Sequence, residues 1–394
     1  MEEKNNVPEL RFPEFSGVWE KHKLGDIEKE GKISLNRGNV IPKGDGPYPV
    51  YSSSVKNNGL MGYSNTYMFD RELVSWSIDG GGDFFYRPKH KFSVTNVSGY
   101  IDILDDTYLC YKYLAYELQF LHSFLHFDYQ TKAHPSVIRE LYTIAIPSVA
   151  EQEKIGAFIS NLDNLIALHQ RKLDDTKELK KCLLQKMFPK DGEDTPELRF
   201  PGFSVPWEQR KVSEITKFHK QGFYTTENYD SNKKYYLLRG TDITDNKLIL
   251  KDTPRINATE ADYQAFKTQV GDFLIVRSGT VGTYGIVYDD IPAIFGSYLI
   301  DFRFDMEQVT NEFFGYFYQS DSFKGQLRQI IQQSANTNIN AENIKSTCIK
   351  LPALDEQCAI SKFFLSLDTL ITLHQRKLDD LKALKKCLLQ EMFI

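Results

Sequence analysis

The chain has 394 residues, 41% hydrophobic and 26% charged, so it can bury substantial cores and the length points to two or three domains. A net charge of −5 argues against a protein that grips nucleic acid through bulk positive charge, and leaves room for local basic patches or partner subunits. No run of about 18 apolar residues is present, so no transmembrane helix is expected.

The opening MEEKNNVPELRF lacks an apolar stretch of the signal-peptide kind. Five dispersed cysteines without a CxxC pair read as reduced thiols in a cytoplasm. The segment PELRFPEFSGVWE (8–20) then returns as PELRFPGFSVPWE (196–208). A second block, 147–188, returns as 352–393 with roughly two thirds of its residues identical, which makes the duplication real. The intervening segments do not match each other in any obvious way. The plan divides into an N-terminal repeated segment (1–20), a first module (21–146) and a long helix (147–188). A linker with the repeated opening (189–208), a second module (209–351) and a C-terminal long helix (352–394) follow.

In the first module, PYPVYSSSVKNNGLMGY (47–63) and ELVSWSIDGGGDFFYRP (72–88) each read as strand, turn, strand. Ser53, Lys56 and Asn57 form a polar cluster suited to base or phosphate contact, or equally a solvated turn. YQTKAH (129–134), with Lys132 and His134, immediately precedes the scaffold. His122 and His126 lie four apart on an expected helix without the HExxH pattern of a zinc site.

The first long helix carries an apolar stripe at alternating intervals of three and four: Ile155, Ile159, Leu162, Ile166, His169, Leu173, Thr176, then Leu183 and Met187. The second repeats it from Ile360 to Met392. A narrow stripe needs a partner, and its own duplicate is the simplest, packed antiparallel about a pseudo-twofold axis. His169 and His374 fall at equivalent stripe positions, as a register-setting pair or a metal pair. The end of the second helix should lie beside the start of the chain, because the first helix runs directly into the second PELRFP.

The second module offers strands at KYYLLRG (234–240), GDFLIVRSGTVGTYGIVYD (271–289) and GSYLIDFRF (296–304). Arg277, Ser278 and Thr280 sit in a turn whose backbone N–H groups can approach a phosphate or base edge, as tight hairpin turns also do. NEFFGYFYQSDSFKGQLRQIIQ (311–332) reads as one amphipathic helix. In the following stretch, Thr337, Asn338 and Asn340 supply amides able to read adenine, or to cap the next element. No P-loop, dinucleotide fingerprint, nucleophile elbow or metal-ligand spacing occurs, so no catalysis and no bound cofactor are expected of this chain.

The paired openings, the P-x3-EQ entries (Glu151-Gln152, Glu356-Gln357) and the LHQRKLDD helices, in this order, resemble specificity subunits of type I restriction-modification enzymes over nearly the whole length. The resemblance implies two mixed α/β target recognition domains joined by two long antiparallel coiled-coil helices. Each domain would read one half of a split double-stranded DNA site, with the helices fixing the gap. Two methyltransferase subunits, which bind S-adenosylmethionine and methylate adenine, would dock on the helices, and two motor-nuclease subunits would join for cleavage. The competing expectation is a coiled-coil adaptor displaying two protein-binding domains.

Overall fold

The computed structural model describes residues 6–42, 44–54, 56–79, 81–125, 132–190, 192–226, 230, 232–277, 283–332 and 339–394, without the side chains of 56, 331 and 332. The chain forms two units, residues 1–171 with 374–394, and residues 172–373. Each long helix therefore contributes residues to both units.

The first unit runs through β1 (Glu20–Lys23), α1 (Leu24–Lys29), β2 (Ile33–Arg37), β3 (Tyr48–Tyr51), β4 (Leu60–Ser64), β5 (Phe69–Ser77), β6 (Phe84–Val94) and β7 (Ser98–Ile103). It returns through α2 (Tyr111–His122), α3 (Pro135–Leu141) and β8 (Thr143–Ile146) into the first long helix, α4 (Val149–Lys186). Its sheet has the order β2-β7-β5-β6-β3-β4, antiparallel except where β3 meets β6. The second unit holds β9 (Glu208–Lys211), β10 (Thr216–Gln221), β11 (Tyr235–Leu238), β12 (Ile243–Thr244), β13 (Lys247–Leu248), β14 (Arg255–Ile256) and α5 (Glu260–Phe266). It continues with β15 (Phe273–Val276), β16 (Tyr284–Ile286), β17 (Ala293–Phe295), β18 (Leu299–Phe304), α6 (Asn311–Gln319), α7 (Asp321–Gln332), α8 (Ala341–Lys345) and β19 (Cys348–Leu351). The second long helix is α9 (Leu354–Met392).

The modules are less different than their sequences suggest. The order β10-β18-β15-β16 repeats β2-β7-β5-β6, and β9 pairs with β19 as β1 pairs with β8. Different apolar residues meet the same burial requirement: Val74 and Trp76 are buried on β5, Phe273 and Ile275 at the corresponding positions of β15. The reading of 311–332 as one helix needs correction. Ser320 turns to φ −68°, ψ 157° and separates α6 from α7. Its hydroxyl donates to the Phe317 carbonyl (2.6 Å) and accepts from the Phe323 N–H (3.3 Å), so it ends one helix and caps the next. The polar run Gln319 to Ser322 interrupts the apolar pattern at this point, a signal that the one-helix reading passes over. Helix α2 ends at His122, and His126 lies outside the described residues.

The repeated motifs explain how each module is fixed to its helix. In the first unit Arg11 donates to both carboxylate oxygens of Glu151 (2.7 and 2.8 Å), and in the second Arg199 does so to Glu356 (2.6 and 2.7 Å). The neighbouring glutamine bonds the module. Gln152 accepts from the Cys110 N–H at the start of α2 and donates to the Tyr108 and Pro147 carbonyls. Gln357 repeats this with the Thr310 N–H and the Gln308 and Pro352 carbonyls. These contacts satisfy an orphan N–H at each helix start. Trp19 and Trp207, which close the repeated openings, are buried against Tyr113 and Phe313 respectively.

Within the first unit α4 and α9 run antiparallel: Lys385 binds Asp163 (2.7 Å), and His169 Nδ1 lies 3.3 Å from His374 Nδ1. In the second unit Lys180 binds Asp368 (2.6 Å). A module tyrosine joins each pair, Tyr116 donating to Asp163 and Tyr316 to Asp368 (both 2.9 Å). The Leu10 N–H donates to the Glu391 carbonyl (2.9 Å), as Leu198 does to Lys186 (2.8 Å). The start of the chain thus follows on from the end of α9.

Candidate nucleic-acid interface

In both units the described candidate residues lie at one end of the shared four-strand layer, where β5 or β15 stops. The Ile78 N–H donates to the Val97 carbonyl (3.0 Å), and the Arg277 N–H to the Tyr298 carbonyl (3.0 Å). The segment that precedes α3 or α8 closes on the same point: Ala133 N–H donates to Ile78 O (3.0 Å) and Ile339 N–H to Arg277 O (3.2 Å). So 132–134 and 339–340 occupy corresponding places. The exit of β2 or β10 is drawn in as well, by Gly38 N–H to Ser98 O and Gly222 N–H to Leu299 O.

Those glycines are needed because backbone crosses backbone. A Cβ on Gly38 would lie 2.3 Å from Thr95 O, and one on Gly222 would lie 2.1 Å from Gly296 O. Neither neighbour is a side chain that can swing away. Gly222→Ala is therefore expected to cost about 1–3 kcal/mol, seen as a lower urea midpoint. An unchanged midpoint would mean that the strand exit is not held against that loop.

In the first unit Ser53 O accepts from the Ser77 hydroxyl (2.9 Å), which brings the Ser52–Gly59 turn to the end of β5. Asn57 and Asn58 are exposed, at φ 49° and 52°. Lys56 begins the same turn. Lys132 is exposed and pairs with Asp79 (3.0 Å). His134 is half-buried at the entry of α3. In the second unit Arg277 is half-buried, and its Nε is enclosed without a hydrogen-bond partner among the described residues. Asn340 accepts from the Asn343 N–H (2.8 Å) while Asn343 accepts from the Asn340 N–H (3.2 Å). The Asn340 side-chain oxygen is thus committed to capping α8. Ser278, Thr280, Thr337 and Asn338 lie outside the described residues.

Three residues at these strand ends escaped sequence reasoning. Arg37 donates to the Asn96 carbonyl at the exit of β2, and Tyr298 and Tyr224 are 64% and 75% exposed on the second unit. The signal available was weak: an arginine or tyrosine beside a glycine at a strand end. Among the described residues no group of three or more metal-ligating side chains occurs, and no helix is long and apolar enough to cross a membrane.

Comparison with known proteins gives a consistent family. The model described as "Type I restriction modification DNA specificity domain" matches residues 17–178 and again 204–383. The specificity subunit of the type I restriction enzyme MjaVIII from Methanocaldococcus jannaschii is 24% identical over 96% of this chain and 92% of its own length. A putative type I specificity subunit of Mycoplasma pneumoniae is 33% identical over 36% of this chain and 40% of its own. Among solved structures, the S subunit of a type I restriction-modification system from M. genitalium superposes with a TM-score of 0.68 at 15% identity, covering 98% of this chain and 99% of that one. At that identity the likeness speaks for the fold. With both of its repeats matched by the same family model, the chain belongs to the DNA-specificity subunits of type I restriction-modification systems.

Proposed function

We propose that the chain reads an interrupted, asymmetric DNA site and performs no chemistry itself, working in the cytoplasm. Modules 21–146 and 209–351 act as the two readers. The observation that carries this reading is the repeated strand-end cluster, built on one strand order but with different side chains: Lys132, His134 and Asn57 in one unit, Arg277 and Asn340 in the other. Equal frames with unequal side chains suit two unlike half-sites.

The helices serve as spacer and as docking surface for two methyltransferase subunits, which bring S-adenosylmethionine, with two motor-nuclease subunits joining for cleavage. Exposed leucines at equivalent positions support this: Leu165, Leu168 and Leu384 in the first unit, Leu370, Leu373 and Leu179 in the second. An apolar patch repeated in this way fits one kind of partner bound twice. Family membership favours this reading over the adaptor.

Co-expression with a cognate methyltransferase subunit, followed by genome-wide mapping of methylated adenine, tests the proposal. One interrupted motif with unlike halves supports it, and a stable complex without methylation overturns it. Arg277→Ala should weaken discrimination at one position of the second half by about 1–3 kcal/mol. Uniform loss over all sequences with a shallower salt dependence would make Arg277 a phosphate contact instead.

A further inference from the structure

Arg87, on β6, is 1% exposed. Its Nε donates to the Ser75 hydroxyl (2.9 Å) and its Nη1 to the Asn58 carbonyl (2.7 Å). The guanidinium lies 3.9 Å from the ring centre of Tyr51 and 4.7 Å from that of Phe85. No carboxylate among the described residues pairs with it, and burial pulls its pKa down to about 10. A cation enclosed in this way is a costly means of filling a core, where an aliphatic side chain would serve.

What the cation holds is the turn between β3 and β4. Asn57, Asn58 and Gly59 follow one another in left-handed backbone, at φ 49°, 52° and 80°. Non-glycine residues persist there only where their surroundings over-determine the conformation. Arg87 supplies one such constraint through the Asn58 carbonyl. The Ser52 N–H supplies another by donating to Gly59 O (2.8 Å). The fit is close, since a Cβ on Gly59 would lie 3.0 Å from both Arg87 Nη2 and Ser52 O. At the corresponding place in the second unit, just after β16, stands the buried Val287.

We infer that Arg87 is a positioning residue for DNA reading: through the Asn58 carbonyl it sets the turn that presents Asn57 to the half-site read by the first unit. This rests on the reading of the first module as a DNA reader. The second half-site is then an internal control, because among the described residues Arg87 has no buried arginine counterpart in the second unit.

The test maps adenine methylation for the wild-type chain, Arg87→Met and Gly59→Ala, each co-expressed with the methyltransferase subunit. The wild type should give a two-part motif. Both variants should lose about 5- to 100-fold of the discrimination against single mismatches in one half, and keep the other half intact. Gly59→Ala guards against a general folding defect, since it strains the turn without removing the buried cation. Intact reading of both halves in the two variants would overturn the inference, and so would equal loss of both halves, which is the signature of a merely structural role. A wild type that yields no two-part motif overturns the underlying function, and the inference falls with it.

Discussion

Replacing Arg11 with methionine is expected to destabilise the first unit by about 3–5 kcal/mol, the cost of stranding one member of a buried ion pair. Glu151 is only 1% exposed, and both of its carboxylate oxygens are taken by Arg11. Without the guanidinium the carboxylate stays enclosed, and it must either remain charged in a poor solvent or take up a proton. The reverse change is milder. Arg11 also donates to the Gly17 carbonyl (2.5 Å) and the Ser16 carbonyl (3.1 Å), and at 14% exposure it can reach water. Glu151→Gln should therefore cost about 1–2 kcal/mol, the scale of a lost charge-assisted bond. Arg11→Met combined with Glu151→Met should recover most of the loss, because the pair's own desolvation cost disappears as well. Urea unfolding of the three variants measures this. Equal losses for Arg11→Met and Glu151→Gln would refute the asymmetry and with it the account of the pair. Arg199 and Glu356 repeat the geometry in the second unit and should follow the same order.

That pair also shows where sequence reasoning reaches and where it stops. The duplication made Arg11, Glu151 and Gln152 conspicuous, and the spacing of Ile155 to Met187 gave the antiparallel helices before any coordinates. Helices and tight turns are local patterns, so the strand–turn–strand readings around Ser53 and the Asp79–Phe84 turn are legible too. The shared strand order of the two modules is not, because it is specified by which positions are buried. Trp76 and Ile275 satisfy one position with unlike side chains. Arg87 was hidden for a related reason. In FFYRPKHKF it reads as one more exposed base on an alternating strand, and only the Tyr51 and Phe85 rings from the structure reveal it as enclosed. Asn340 was open to two readings, reader or cap, and its bond with Asn343 supplies the capping geometry.

Glu117 lends the first unit a dependence on pH that a neutral substitution should remove. It lies in α2 with no exposed surface, and burial pushes its pKa up to about 8, against the opposing pull of the Ala145 N–H bond and of Lys21. The corresponding place on α6 is Phe317, so the second unit fills this site with an aromatic ring where the first holds an acid. The direction follows from proton binding. An acid whose folded pKa lies above its unfolded value, ordinarily about 4.3, keeps its proton longer in the folded state. Its contribution is fully present below about pH 4.3 and is lost as pH rises through about 8. The loss amounts to about 3–5 kcal/mol across that window. Glutamine imitates the protonated acid, and its side-chain carbonyl can still accept from Ala145. At pH 5 Glu117→Gln should therefore lie within about 1 kcal/mol of wild type, and by pH 9 it should be the more stable of the two by about 3 kcal/mol. Asp301, whose pKa burial likewise pushes up to about 8, is present in both proteins and cancels in the difference. Urea midpoints from pH 5 to 9 decide the matter. Curves for the two proteins that stay parallel would mean that Glu117 titrates as an ordinary carboxylate, and that the buried α2 site admits water.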